Sequence, residues 1–509
     1  RQGPVGSGAV TDLPGPGTPT PPIALGDPSA ATSRLGSQAV ELDDTFLARL
    51  GNVCAEVVVD PAATAEAGRD WWPLAIVWAT ENQVPARAGA IARPTTEEEV
   101  AAVAAACHEA GVPLTTAGGR SGVCGASIPV FGGVVLDTTA LSGIRGVNDE
   151  SLVVDVAAGT FGDLFEEELQ ATHGLTVGHW PQSMALATVG GWVACRGAGQ
   201  YSTRYGKIED IVTGLDVVLA DGRRITAGGQ PRQATGPDLT QLFVGSEGTL
   251  GIVTGVRLRA HPKPPHEARA AYAFPSFEAG LDALRRILRR GATPAVLRLY
   301  DDIESNRNHQ TEGTHDLLVL DEGDQGLVDA GMAVVAEEGA DAGPLDVELV
   351  GHWMTKRNDV AALEALITRG YVVDTMEITG PWAALPGIYS AATEAIRGVE
   401  GTMVASAHQS HSYTDGGCLY FTFAAEVDPD RRDAYYQAAW DAGTRAVLAH
   451  GGSLSHHHGV GLNRARFLHD ALGPAFDVFA ATKAALDPAG ILNPGKMGLP
   501  SPFGEPGWP

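Results

Sequence analysis

Hydrophobic positions along this chain recur with two periods, and the period changes mark its elements. In "PTTEEEVAAVAAACHEAG" (94–111), Val100, Val103 and Ala104 form one apolar stripe at helical spacing. Thr95 or Thr96 supplies the cap, Glu97, Glu98 and Glu99 fill the first turn, and Gly111 ends the helix. "VPLTTAGG" (112–119) reads as a buried strand running into a glycine-rich loop. "GGVVLDTTAL" (132–141) and "SLVVDVAAGT" (151–160) predict two more strands, and "FGDLFEEELQATHG" (161–174) a helix closed by Gly174.

The expected organisation follows. Residues 1–38, rich in Pro and Gly, are expected to form a flexible tail. Residues 39–89 form a helical segment with a bulky anchor in "GRDWWPLA" (68–75), and residues 90–261 one α+β unit. The prolines at 262, 264 and 265 mark a boundary. Helices such as "FEAGLDALRRILRRG" and strands such as "AVLRLYD" and "GCLYFTFAAEV" then predict a mixed α/β domain over 266–449. A last segment, 450–509, carries "GGSLSHHHGVG" and "DPAGILNPGKMG" and is expected to return to the first unit.

At 509 residues the chain is too long for one simple core. Its 35 basic and 61 acidic residues leave a net charge of −26. That field repels nucleic acid and anionic membrane, so a nucleic-acid partner is not expected, and membrane contact is at most peripheral. An anionic substrate would need local cations. Five scattered cysteines without a CxxC pair fit a reducing compartment, and a cytoplasmic location is the expectation. A homodimer is compatible with the chain.

The first unit is marked by glycine loops. "AGGRSGVCGAS" (117–127) leaves a strand and carries neither a Walker A lysine nor a GxGxxG fingerprint. Glycine permits close backbone approach, so such a loop can aim several N–H groups at one anion. "TVGGWVACRGAG" (188–199), "STRYGKIEDIV" (202–212) and "VGSEGTLGIVT" (244–254) follow in the same unit. Together they point to an extended ligand threaded through it, and a dinucleotide has that shape.

These motifs resemble flavoproteins of the vanillyl-alcohol oxidase / p-cresol methylhydroxylase type. The matching residues are Gly118 to Gly122, Pro181 and Ser183, Thr188 to Gly191, Gly197 to Gly199, Tyr205-Gly206, Glu209-Asp210, Gly245 to Gly248 and the ending "DPAGILNPGK". The resemblance implies an α+β fold: a two-subdomain FAD-binding domain of the p-cresol methylhydroxylase type plus a mixed α/β substrate (cap) domain. It implies FAD as cofactor, held by Ala117, Gly118, Gly119, Arg120, Ser121, Gly122, Pro181, Ser183, Thr188, Gly190, Gly191, Arg196, Gly199, Tyr205, Glu247, Gly248 and Ile252. The pyrophosphate loop holds no histidine, so the FAD is expected to be dissociable. Cys124 and Cys195 read as small buried thiols.

In "DGGCLYFTF" (415–423) the alternation puts Leu419, Phe421 and Phe423 on one face and Cys418, Tyr420 and Thr422 on the other. In "AVLRLYD" Leu297 and Leu299 oppose Val296, Arg298 and Tyr300. Arg298 is therefore a structural salt-bridge partner or a fixed cation in a pocket. If residues 453–458 are extended, His457 points away from His456 and His458, so the three do not converge on a metal. No metal is expected, and acid–base work is favoured over surface decoration.

Within the family, "TPAVLRLYD", "EITGPW", "SYTDGGCLYFTF" and "GGSLSHHHGVG" are most similar to alkylglycerone-phosphate synthases. That resemblance implies exchange of the acyl group of acyl-dihydroxyacetone phosphate for a fatty alcohol, without net redox. Tyr420, His456, His457 and His458 become acid–base groups, and Arg298 the holder of an anionic small-molecule or lipid substrate. The synthases' further arginine before the Pro-Trp pair has only Arg369 as a counterpart. The alternative is a FAD oxidase or dehydrogenase of a 2-hydroxy acid or other alcohol. A non-catalytic FAD-binding protein is the third reading.

Overall fold

The computed structural model describes residues 21–359 and 361–508. Three sheets organise them. A four-stranded sheet runs Glu56–Val58, Ala90–Arg93, Val134–Asp137, Leu114–Ala117. Its last three strands are parallel. A five-stranded antiparallel sheet runs Arg224–Gly228, Val212–Val218, Ile252–Arg259, Val153–Ala157, Ile144–Asn148. These two sheets and their helices make the first half of the molecule.

The helix Glu97–Ala110 starts where its sequence says it should. Thr96 accepts the Glu99 amide, the Glu99 carboxylate accepts the Thr95 amide in return, and Gly111 ends the helix at φ +65°. Gly174 ends the helix Gly162–His173 in the same way, at φ +64°.

The second half is built on a seven-stranded antiparallel sheet. Its order is Gly343–Pro344, His266–Phe274, His315–Gly323, Val296–Tyr300, Thr402–Ser412, Gly416–Glu426, Tyr371–Pro381. One face is apolar: Leu297, Leu299, Leu419, Phe421 and Phe423 are buried in a single core with Leu284, Ile388 and Trp440 from three helices. Each such side chain contributes about 1.5–3 kcal/mol by burial, which fixes the register. The other face looks back at the first half, where Val296 and Tyr300 pack with Tyr201 and Tyr205. That registration lines up Tyr300, His408, Tyr420 and Glu377 across four adjacent strands.

Two expectations about the chain ends meet different fates. Residues 1–20 of the expected tail lie outside the described residues. Residues 21–38 do not behave as a loose tail: Thr32–Ser33 pairs with Gln83–Val84, and Leu25, Ala31 and Leu35 are buried. The sequence is proline-rich but carries enough apolar side chains to be held down. At the other end, Leu492 bridges to Leu114 beside the four-stranded sheet, and Trp508 packs edge-on against Trp72 and Trp78.

Candidate active site

The glycine loops of the first half lie pressed against one another. A Cβ on Gly119 would sit 1.8 Å from the Leu186 carbonyl oxygen, one on Gly118 2.3 Å from Thr188 Oγ1, and one on Gly199 2.4 Å from the Trp180 amide nitrogen. Gly122 is different, with only Asp70 Oδ2 within reach, at 3.9 Å. Thr188 caps the helix Val189–Cys195 through the Gly191 amide. Gly190 lies against Ala158, and Pro181 and Ser183 form the turn that precedes the cap. Arg120, Arg196 and Glu247 all take left-handed φ, an unusual conformation for such residues. Ala117 ends its strand, Ser121 follows in the loop, Gly248 has φ +73°, and Ile252 opens a buried strand.

Several buried polar atoms on or beside these loops have no hydrogen-bond partner among the described residues. They include Thr116 Oγ1, Ser127 Oγ, Asp70 Oδ2, both ring nitrogens of His179, and both amide atoms of Asn463. An unmet buried polar group costs about 1–3 kcal/mol, so their concentration marks where a bound group supplies partners. A long, polar-edged dinucleotide fits that need. Two expected cofactor contacts are engaged elsewhere. Tyr205 donates its hydroxyl to Glu322 of the second half at 2.6 Å, and Arg196 pairs with Glu209. Burial pushes the Cys195 thiol up to about 12 and that of Cys124 well above its ordinary value, as inert thiols require.

The histidine run is not extended. It curls round the carboxylate of Glu377, whose Oε1 accepts the amides of His456, His457 and His458 at 3.2, 2.8 and 2.5 Å and the Ser455 hydroxyl at 2.7 Å. The next carboxylate is Glu247, which accepts the amides of Val460 and Gly461 at 2.5 and 2.8 Å. Burial opposes the Glu377 charge, but Arg464 and the backbone amides outweigh it and hold the carboxyl well below the usual range. The expectation that His457 points away from its neighbours is therefore overturned. The three rings stand with centroids 5.0 Å (His456–His457) and 4.4 Å (His457–His458) apart.

His411 joins them, bringing one nitrogen of His411, His456 and His457 within 4.8 Å of each other. The Nδ1 atoms of His456 and His457 are 2.8 Å apart, a hydrogen-bond length. Two nitrogens on one tetrahedral metal would stand about 3.3 Å apart. Burial holds all four imidazoles below their ordinary pKa, His458 at about 4. They are neutral bases at physiological pH.

Tyr420 faces this loop, as its strand position predicted. Its ring lies 6.1 Å from His457 and 5.5 Å from His458, and its hydroxyl accepts from Thr375 at 3.0 Å. Burial pushes its phenol up. Arg298 shares the same sheet face and donates to Tyr300 at 2.8 Å. Arg369 is exposed and takes no part.

Sequence reasoning missed the groups that join these residues. His408 stacks on Tyr420 at 4.9 Å. Tyr413 shares hydrogen bonds with His456 Nε2 (2.8 Å) and with Ser202 (3.1 Å), which reaches His411 Nδ1 at 2.7 Å. Alternation in the strand "TMVASAHQSHS" puts His408 on one face with Ser406 and Ser410, so a signal existed for it. His411 falls on the opposite face by alternation and joins the site through the register shift between Gln409 and His411. His179, buried and lowered to about 3, had no such pattern.

Known proteins carry the same plan. A family described as "FAD binding domain" matches residues 88–228, and "FAD linked oxidases, C-terminal domain" matches residues 263–497. "Uncharacterized FAD-linked oxidoreductase YgcU" of Escherichia coli (strain K12) is 31% identical over 406 residues, 76% of this chain and 83% of that protein. The chain belongs to the FAD-linked oxidase family. FAD is the cofactor of this family member, and its fold is that of the p-cresol methylhydroxylase type. Alkyldihydroxyacetonephosphate synthase of Dictyostelium discoideum is 28% identical over 452 residues, 80% of this chain and 72% of that protein. A solved structure of alkyldihydroxyacetonephosphate synthase superposes with a TM-score of 0.74 at 23% identity, covering 91% of this chain and 87% of that one. Among the described residues, no helix is long and apolar enough to cross a membrane.

Proposed function

We propose that this protein is an alkylglycerone-phosphate synthase-like enzyme that exchanges the acyl group of acyl-dihydroxyacetone phosphate for a fatty alcohol. The observation that carries the reading is the cluster of buried His456 and partly buried His457 and His458 facing Tyr420, which shares one sheet face with a fixed Arg298. The named synthase relatives point the same way. Bound FAD, in dissociable form, supplies an electron-accepting ring system. Ala117 to Gly122, Thr188 to Gly191 and Gly199 would line its site, with the loop Gly118 to Gly122 offering backbone amides to the pyrophosphate. The amides of Val189, Gly190 and Gly191 bond to Thr160, Ala158 and Thr188 and so shape the site rather than hold the cofactor.

Arg298 receives the substrate's phosphate, which the net charge of −26 would otherwise repel. The neutral imidazole of His457 takes a proton from the reacting carbon and gives it back once the alcohol is in place, while Tyr420 donates its proton to the leaving carboxylate and regains one from the entering alcohol. Acid leaves and alcohol enters, so no electrons are gained or lost overall.

A dehydrogenase acting on a hydroxy acid or alcohol is the second reading, favoured by the FAD-linked oxidoreductase at 31% identity. An anaerobic titration of the visible flavin band separates the two. Bleaching by acyl-dihydroxyacetone phosphate and recovery on adding fatty alcohol is the expected result. Bleaching by a hydroxy acid or alcohol, reversed only by an electron acceptor, would replace the synthase reading with the second.

A further inference from the structure

Arg298 is held by a hydrogen-bonded relay whose proton positions are fixed by chemistry. A guanidinium only donates, so the ring nitrogen facing it must offer a lone pair. His408 Nε2 lies 2.6 Å from Arg298 Nη2 and is therefore the acceptor. Its proton then sits on Nδ1, which donates to Glu304 Oε2 at 2.8 Å. Glu304 is buried, and its other oxygen accepts from Ser406 and Thr422 at 3.0 and 3.1 Å and pairs with Arg307 at 3.1 Å. Both oxygens of the carboxylate are thus met by a donor or cation, which keeps it anionic inside the protein.

The same imidazole lies nearly parallel to Tyr420, 19° between planes at 4.9 Å. Arg298 is also fixed by its Nε–H bond to Tyr300, and its guanidinium lies over the Tyr300 and Trp353 rings at 5.2 and 5.9 Å. Among the described residues no hydrogen bond takes its Nη1 hydrogens or the second one on Nη2, which leaves them for an anion with two oxygens.

We infer that Glu304 and His408 are positioning residues: Glu304 sets the tautomer of His408, and His408 aims Arg298 while bracing the ring of Tyr420. The inference rests on the reading that Arg298 receives the substrate's phosphate. It goes beyond that reading by assigning a buried carboxylate and a histidine to the substrate's orientation.

Two measurements on the full FAD-loaded chain test it. In 15N-histidine-labelled protein near neutral pH, the His408 resonance, identified by its loss in His408→Gln, is expected to show a neutral ring protonated at Nδ1. A ring protonated at Nε2, or an imidazolium, overturns the inference. The affinity for dihydroxyacetone phosphate, read from flavin fluorescence, is expected to fall about 10-fold or more in Glu304→Gln and in His408→Ala. Added imidazole is expected to restore the His408→Ala protein and not the Glu304→Gln protein. Unchanged affinity in both variants with full FAD content overturns the inference. If dihydroxyacetone phosphate does not bind the unmodified protein, the synthase reading fails, and the tautomer of His408 still decides this inference.

Discussion

Glu377 and Arg464 form an ion pair at 2.5 Å in which neither side chain reaches solvent. Removing one partner of such a pair leaves the other charged and buried, at a cost of about 3–5 kcal/mol. Glu377→Gln should therefore lower the stability of the FAD-loaded protein by about that much in equilibrium denaturation. Glu377→Gln combined with Arg464→Met should recover part of the loss. A single variant as stable as the parent would contradict the pairing.

Tyr420→Phe removes a hydroxyl that faces the histidine loop and accepts from Thr375. Turnover should fall by about 10²–10⁴-fold, the usual contribution of a general acid or base, with the flavin absorbance spectrum unchanged. His457→Ala should behave alike. Full activity in either protein would remove that residue from the chemistry.

For Arg298→Ala the expected change is in affinity. Binding of dihydroxyacetone phosphate should weaken by about 10–100-fold, the loss expected of charge-assisted hydrogen bonds, while FAD content stays constant. Calorimetry or flavin fluorescence reads the difference directly.

Two glycines of one loop should respond differently to alanine. At Gly119 the new methyl meets the Leu186 carbonyl at 1.8 Å, so Gly119→Ala should lower the melting temperature of the FAD-free protein and abolish FAD retention. At Gly122 there is room within the protein, so Gly122→Ala should leave the FAD-free melting temperature alone and weaken FAD binding only. Equal behaviour of the two would place the cofactor elsewhere.

His458 yields a pH test with a defined sign. Burial holds its pKa at about 4, against about 6.5 in an unfolded chain. Between those values the unfolded chain binds a proton that the folded one refuses, so this site's contribution to stability falls as pH drops below about 6.5. Between pH 7.5 and about pH 5, the stability of His458→Gln should gain on the parent by about 2 kcal/mol. A pH-independent difference would show that the imidazole is not buried in its neutral form.

Much of this was legible in the sequence because it is periodic. Alternation in "GCLYFTF" put Leu419, Phe421 and Phe423 in the core and Tyr420 opposite, and alternation in "AVLRLYD" did the same for Arg298. The glycine loops were legible because glycine is needed where backbones nearly touch. The shape of the histidine loop was not, since the carboxylate that bends it lies 79–81 residues earlier in the chain. Glu304 and His408, 104 residues apart, were hidden for the same reason. Pairings of that range depend on sheet registration, which local pattern does not carry. Residues 21–38 were misread because a high proline content masked a few well-placed apolar side chains.

The backbone of the histidine loop is shared between two carboxylates, three amides to Glu377 on the seven-stranded sheet and two to Glu247 on the first half. The loop thus works as an interlock: neither half alone dictates its shape. Loss of either carboxylate would strip part of the loop's backbone of its acceptors, so a change in one half of the molecule is felt in a segment the other half also grips.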